Sequence, residues 1–336
     1  MAMMAGLHLQ SLPRRVLTSA PLSCSDVAPS VGARGIAKRG HIPRLMQRRM
    51  STDFLEQLPT TTLSAGINHT CAIRTGGLLA CFGGNSSGQC DVPHELGPVL
   101  AVSAGCHHTC AVRADGRVVC FGRNAEGQCD VPPDLGPVAA VSAGCYHTCA
   151  VRADGRLVCF GENHDGQCDV PTDFGSVLTM TAGICRTCAT RTDGRLVCFG
   201  ENPRGRCSVP GDLGPIRAVA MGAAHTCTVT VEGYLVCFGM NHYGQCSAPP
   251  DLGKALATSA GTHHTCVVRA DGRLLCFGDN FEGQCNVPSD LNSVLAMSTG
   301  LRHTCAVGAD GQLVCFGENY QGQCNVPADL GPVLTM

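Results

Sequence analysis

One interval governs this chain. Threonines of a recurring His-Thr-Cys signature fall at Thr70, Thr109, Thr148, Thr187, Thr226, Thr265 and Thr304, a constant step of 39 residues without insertion or deletion. A representative unit, from Ser103 to Val141, reads SAGCHHTCAVRADGRVVCFGRNAEGQCDVPPDLGPVAAV. A fixed period of this length marks a repeat architecture. One supersecondary unit cannot bury its apolar face alone and must stack on its neighbours.

Within the unit, residues 98–102, 109–113 and 117–121 read as short strands bounded by Gly, Pro or Asp, and no stretch has helical periodicity. A fourth, weaker strand is expected through Cys129, Asp130 and Val131 before Pro132 ends it. Between the second and third strands, Ala114-Asp115-Gly116 makes a three-residue hairpin loop whose Gly takes the left-handed conformation. Antiparallel units of about 40 residues suit the blades of a β-propeller, in which radial repetition leaves only short edges; β-solenoids use shorter periods and mostly parallel strands. The expected fold is therefore all-β, a seven-bladed propeller of 39-residue repeats over residues 64–336. The first unit has only a poor copy of the leading strand, residues 59–63, whereas the chain ends on an unattached copy, residues 332–336. That last segment is expected to complete the first blade and close the ring.

Residues 1–50 lack the repeat and form a separate region, expected to be disordered, joined to the ring by a short leader, 51–63. They hold eight Lys or Arg and one acid, Asp26, whereas the remainder holds 16 basic and 25 acidic residues. An Arg-, Ser- and Ala-rich, acid-poor N-terminus is the composition of a transit peptide, so the expected destination is mitochondrion or chloroplast; the alternative is a basic tail on a cytoplasmic or nuclear protein. Mass spectrometry of the endogenous chain is the check: import predicts a mature start near Ser51, and an intact Met1 on the major species would remove the targeting expectation. The acidic remainder repels phosphate backbones, which disfavours nucleic acid as a partner. No apolar run approaches the ~18 residues that a membrane span needs.

Twenty-one of the 25 cysteines sit at three fixed sites per unit, such as Cys110, Cys120 and Cys129. The loop centred on Asp115 places Cys110 opposite Cys120 across the hairpin, and the same holds for Cys71 and Cys81, Cys149 and Cys159, Cys188 and Cys198, Cys227 and Cys237, Cys266 and Cys276, and Cys305 and Cys315. In an oxidising compartment each pair is within disulfide reach. In a reducing one these cysteines are small apolar fillers between blades. His69, His108, His147, His225, His264 and His303 recur before the Thr, with Arg186 in the fourth unit. His108 and Cys110 share a strand face, which admits a metal site or a Cys-His nucleophile. Sevenfold repetition favours a packing role instead, because a catalytic site is a unique constellation. No cofactor motif is present.

The pattern SAG-x-x-HT-C-AV-x-x-DG-x-LV-C-FG-x-N-x-x-GQ-C resembles the repeat of the regulator of chromosome condensation family across all seven units. The resemblance implies seven-bladed propellers; that fold hosts exchange factors, photoreceptors, ligase-associated modules and enzyme inhibitors, so it implies no single activity. Phe121, Phe160 and their equivalents stand at the family's usual Trp position, and the chain has no Trp. Ultraviolet sensing, which the resemblance ties to Trp at the first position after AG, is thereby excluded: those positions are Ile67, Cys106, Cys145, Ile184, Ala223, Thr262 and Leu301. Nucleotide exchange on a small GTPase, as in the founding member, uses an insertion that no unit here carries, and ubiquitin-ligase members use a separate catalytic domain.

If shared positions are scaffold, recognition falls to the variable ones: the pair after AG and the positions within FG-x-N-x-x-GQ. The residues expected to bind a partner are Asn68, His107, Tyr146, His263 and Arg302 from the first set, and Tyr243, Phe281 and Tyr320 from the second. The expected function is a non-enzymatic protein-interaction module. The alternatives are a metal or thiol-redox protein using the Cys and His arrays, and an exchange factor.

Overall fold

The computed structural model describes residues 61–202 and 205–334. The expectations placed on 1–60, and residues 335–336 of the segment expected to close the ring, lie outside the described residues. Twenty-one strands form seven antiparallel three-stranded sheets in simple sequential order. Blade one comprises β1 (Leu63–Ala65), β2 (His69–Ile73) and β3 (Leu79–Gly83). Blade two comprises β4 (Val99–Ala104), β5 (His108–Arg113) and β6 (Val118–Gly122), and the pattern repeats to blade seven, which ends with β20 (His303–Gly308) and β21 (Leu313–Gly317). The first strands of neighbouring blades touch at all seven seams, including blade seven against blade one, so they form the inner wall of a closed ring.

The hairpin between β5 and β6 takes the expected form. Arg113 N–H donates to the Arg117 carbonyl at 2.9 Å, and Gly116 closes the loop with φ of 81°. This register sets Cys110 directly opposite Cys120. The expected fourth strand is absent from the described residues: Cys129 is in a turn, and its N–H donates to the Asn124 side-chain oxygen at 2.8 Å instead of to a neighbouring strand. Asn124 also donates to Asp130 at 2.7 Å, and the Gln128 amide oxygen accepts the Glu126 N–H at 2.9 Å. The Asn and Gln that six units share thus wire a compact loop and leave the two positions after Asn exposed or half-buried.

Apolar burial is concentrated between blades. At the first seam Cys71 and Ile73 of blade one pack against Leu96, Val99, Val102 and Ala104 of blade two. The same seam is stitched by a polar relay. The Thr109 hydroxyl donates to the Gln89 carbonyl at 2.8 Å, so its oxygen is left to accept from the His69 Nε2–H at 3.0 Å. Five further seams repeat the His–Thr bond at 2.7 to 3.1 Å, the last from His303 back to Thr70. Each ring therefore carries its proton on Nε2, and the buried Nδ1 has no partner. The preceding glycine is required: a Cβ on Gly105 would collide with the Gly144 carbonyl and stand 2.7 Å from His108 Cε1.

Closure differs from the sequence expectation in one respect. Both ends of the ring contribute to the inner strand of blade one. Val333 bridges to Arg74, Pro332 O accepts from Thr75 N–H at 3.1 Å, and Leu334 N–H donates to Ile73 O at 2.7 Å. Beyond that point the chain from the other end takes over: Thr62 O accepts the Ile73 N–H, and Leu63 pairs with Ala72. The C-terminal segment supplies the outer half of a composite strand, and β1 supplies the rest.

Candidate protein-binding face

The loops after AG gather at one end of the ring. Their first positions, treated above as variable and hence as recognition candidates, are core: Ile67, Cys106, Cys145, Ile184 and Ala223 pack together with Ala220 and Ala260. The inter-blade bonds Ile67 N to Gly105 O, Cys106 N to Gly144 O and Cys145 N to Gly183 O tie these loops to one another. Side-chain volume, not identity, is what this plug requires, so the residues vary without facing solvent.

The second positions lie above that plug. Asn68, His107, Tyr146 and His263 are half-buried and Arg302 is exposed. Tyr146, His263 and Arg302 each stand beside the FG-x-N-x-x-GQ loop of the preceding blade, and this relation assembles the candidates into two groups. In blades two and three, the Arg123 guanidinium lies 6.0 Å above the Tyr146 ring. His107 is on the same side: burial, and then Arg123, pull its imidazole below the ordinary range. In blades five to seven, Tyr243 stacks on His263 with ring centroids 4.7 Å apart. Glu282 faces both Arg302, at 3.8 Å, and the Tyr320 hydroxyl, which donates to it at 3.3 Å. Tyr243 is 47% exposed, Tyr320 77% and Phe281 85%. Asn68 stays apart from both groups and bonds through its carbonyl to Gly84 N–H.

Glu282 is the residue that the choice of candidates missed. Its spacings, 20 residues before Arg302 and 38 before Tyr320, are those that bring a loop of one blade against both loops of the next. The neighbouring Glu318 is raised first by desolvation, with Arg302 opposing.

The repeated Cys and His positions are closed off. The structure joins Cys71 to Cys81, Cys188 to Cys198, Cys227 to Cys237, Cys266 to Cys276 and Cys305 to Cys315 as disulfides. It leaves the Cys110–Cys120 and Cys149–Cys159 pairs as thiols. Cys120 and Cys159 are pushed well above the usual thiol range, by burial first and by the facing sulfur second. A further disulfide, Cys106 to Cys145, crosses from blade two to blade three within the plug. Only the ring brings those two loops together, so hairpin spacing held no sign of it. Among the described residues, no group of three or more His, Cys, Asp or Glu is placed to hold a metal ion, and no helix is long and apolar enough to cross a membrane.

The model of the regulator of chromosome condensation (RCC1) repeat matches residues 61–89, 99–128, 138–167, 216–245, 257–284 and 294–323. The chain belongs to the RCC1 repeat family. No curated protein matches it in sequence. Among solved structures it is similar to the ectodomain of the receptor kinase CR4 of Physcomitrella patens, with TM-score 0.66 and 21% identity over 77% of this chain and 73% of that one. The CRINKLY WD40 ectodomain of the receptor kinase ACR4 of Arabidopsis thaliana gives TM-score 0.66 and 21% identity over 78% of this chain and 96% of that one. Prp20p of Saccharomyces cerevisiae, described with its binding properties to Gsp1p and histones, gives 0.64 and 15% over 84% and 87%. At these identities the likeness is one of fold.

Proposed function

We propose that this RCC1-repeat ring is a protein-interaction module that engages its partner through the loop face of blades five to seven. The observation that carries this reading is the exposure of Tyr243, Phe281 and Tyr320 on loops that Asn and Gln side chains hold rigid, beside Arg302. Aromatic and Arg side chains on a pre-organised surface supply most interface hot spots at small ordering cost. Prp20p, a ring of the same fold, binds proteins, which is consistent with this use of the scaffold.

Replacing Tyr243, Phe281, Arg302 and Tyr320 together by Ala should change unfolding free energy by less than about 2 kcal/mol, because exposed substitutions each stay within about 0.5 kcal/mol. Partner affinity should fall by roughly 100-fold or more. The measurement is affinity capture from the native cell with both versions, alongside a urea melt. Recovery of the same proteins at the same yield by the fourfold variant would place recognition on another face.

A further inference from the structure

Blade four breaks the polar relay. Where six units carry a His before the Thr, this one carries Arg186; where six carry Gln before the last Cys, it carries Arg206. The two positions meet at one seam, between blades four and five: Thr226 Oγ donates to the Arg206 carbonyl as its equivalents do to Gln, while Arg186 occupies the place of the imidazole. The family model passes over this unit, residues 177–206.

Arg186 is only 2% exposed. Its Nη2 donates to Gly222 O at 2.7 Å and His225 O at 3.1 Å, but its Nε–H is buried without a partner. Arg206, 11% exposed at its side chain, likewise has a buried, unpartnered Nε–H. It reaches Ala223 O at 3.4 Å and Glu201 at 3.9 Å. Among the described residues Arg186 makes no ion pair, and Glu201 pairs with Arg206 alone. Burial pulls Arg186 down to about 10, which still leaves it cationic at neutral pH. An uncompensated buried cation with idle donors is costly, and the His and Gln of the other six seams avoid that cost. The apolar cluster here is also thin, with Cys188, Val219 and Met221 buried. Arg206, the less buried of the two, reaches the AG-loop end of the ring through the Ala223 carbonyl.

We propose that the seam between blades four and five is an oxyanion site, in which Arg186 and Arg206 take a carboxylate or phosphate group through their idle N–H donors. Guanidinium forks match the oxygen spacing of both groups. The carboxylate would come from an acidic side chain or chain end of a partner, the phosphate from a small metabolite or a phosphorylated residue.

The test uses the full chain at pH 7.5, melted in sodium phosphate, sodium acetate or sodium chloride at matched ionic strength. A ligand that binds the folded ring raises the melting temperature steadily with its logarithmic concentration. The wild type should melt higher in phosphate or acetate than in chloride, and the effective anion identifies the source. The Arg186→His/Arg206→Gln variant installs the residues of the other six seams and should need at least ten times more anion for the same rise. If that variant does not fold, Arg206→Gln alone carries the comparison. A wild type that melts equally in all three salts, or a variant with an undiminished anion response, would overturn the site.

Discussion

Moving this protein from pH 7 to pH 5 should unfold the ring. Burial holds His69, His225, His264 and His303 down to about 3 from an ordinary 6.5, since each imidazole is sealed in a seam with its Nε2–H on a threonine. The unfolded chain takes up a proton at each of these groups near pH 6.5, whereas the folded chain stays neutral until about pH 3. Between those values the unfolded state binds more protons, so their stability contribution is complete above pH 6.5 and is lost as pH falls through the window. At pH 5 the loss is about 2 kcal/mol per histidine, or roughly 8 kcal/mol for the four. That equals or exceeds the whole stability of many domains, about 5–15 kcal/mol. Urea midpoints at pH 7, 6 and 5 measure it directly. Equal midpoints at pH 7 and 5 would mean that the imidazoles are not sealed as described.

Removing residues 332–336 should weaken the entire ring. The loss takes Val333, which is buried, and Leu334, which packs against the first seam, and strands Ile73 O and Thr75 N–H without their partners. Two lost aliphatic side chains and two orphaned backbone groups together cost roughly 5 kcal/mol. The expected signature is a single cooperative transition displaced to lower urea, because blade one borders both blade two and blade seven. A truncated chain within about 1 kcal/mol of the parent would show that β1 alone closes the ring, a difference large enough to resolve in a mutant comparison.

The blade plan was legible because its determinants are local. A three-residue loop around Asp115 sets the hairpin register, and that register predicts which cysteines face each other. The imagined fourth strand failed for an equally local reason: Asn124 captures the Cys129 N–H before any strand can. What could not be read are contacts one blade away. His69 meets Thr109 and Cys106 meets Cys145 only after stacking, and a period of identical units hides which neighbour a residue will face. The same blindness made Ile67 and Cys106 look like recognition residues, since variability marks both a binding loop and a plug that is filled by volume alone. Tyr243, Phe281, Arg302 and Tyr320 stood out by residue type, but their link through Glu282 came only from the ring geometry.

Six interchangeable His–Thr seams also have a bearing on how the molecule counts. A blade carries almost no label that distinguishes the neighbour it should meet from the one after it, so seam chemistry by itself would accept rings of other sizes or a blade lent by a second chain. Two features break this degeneracy. The composite strand of blade one is finished only when Thr62 and Val333 arrive together, so the tally of units between them sets the circumference. Arg186 makes a single seam chemically unlike the rest, a landmark from which the order of the other blades is measured.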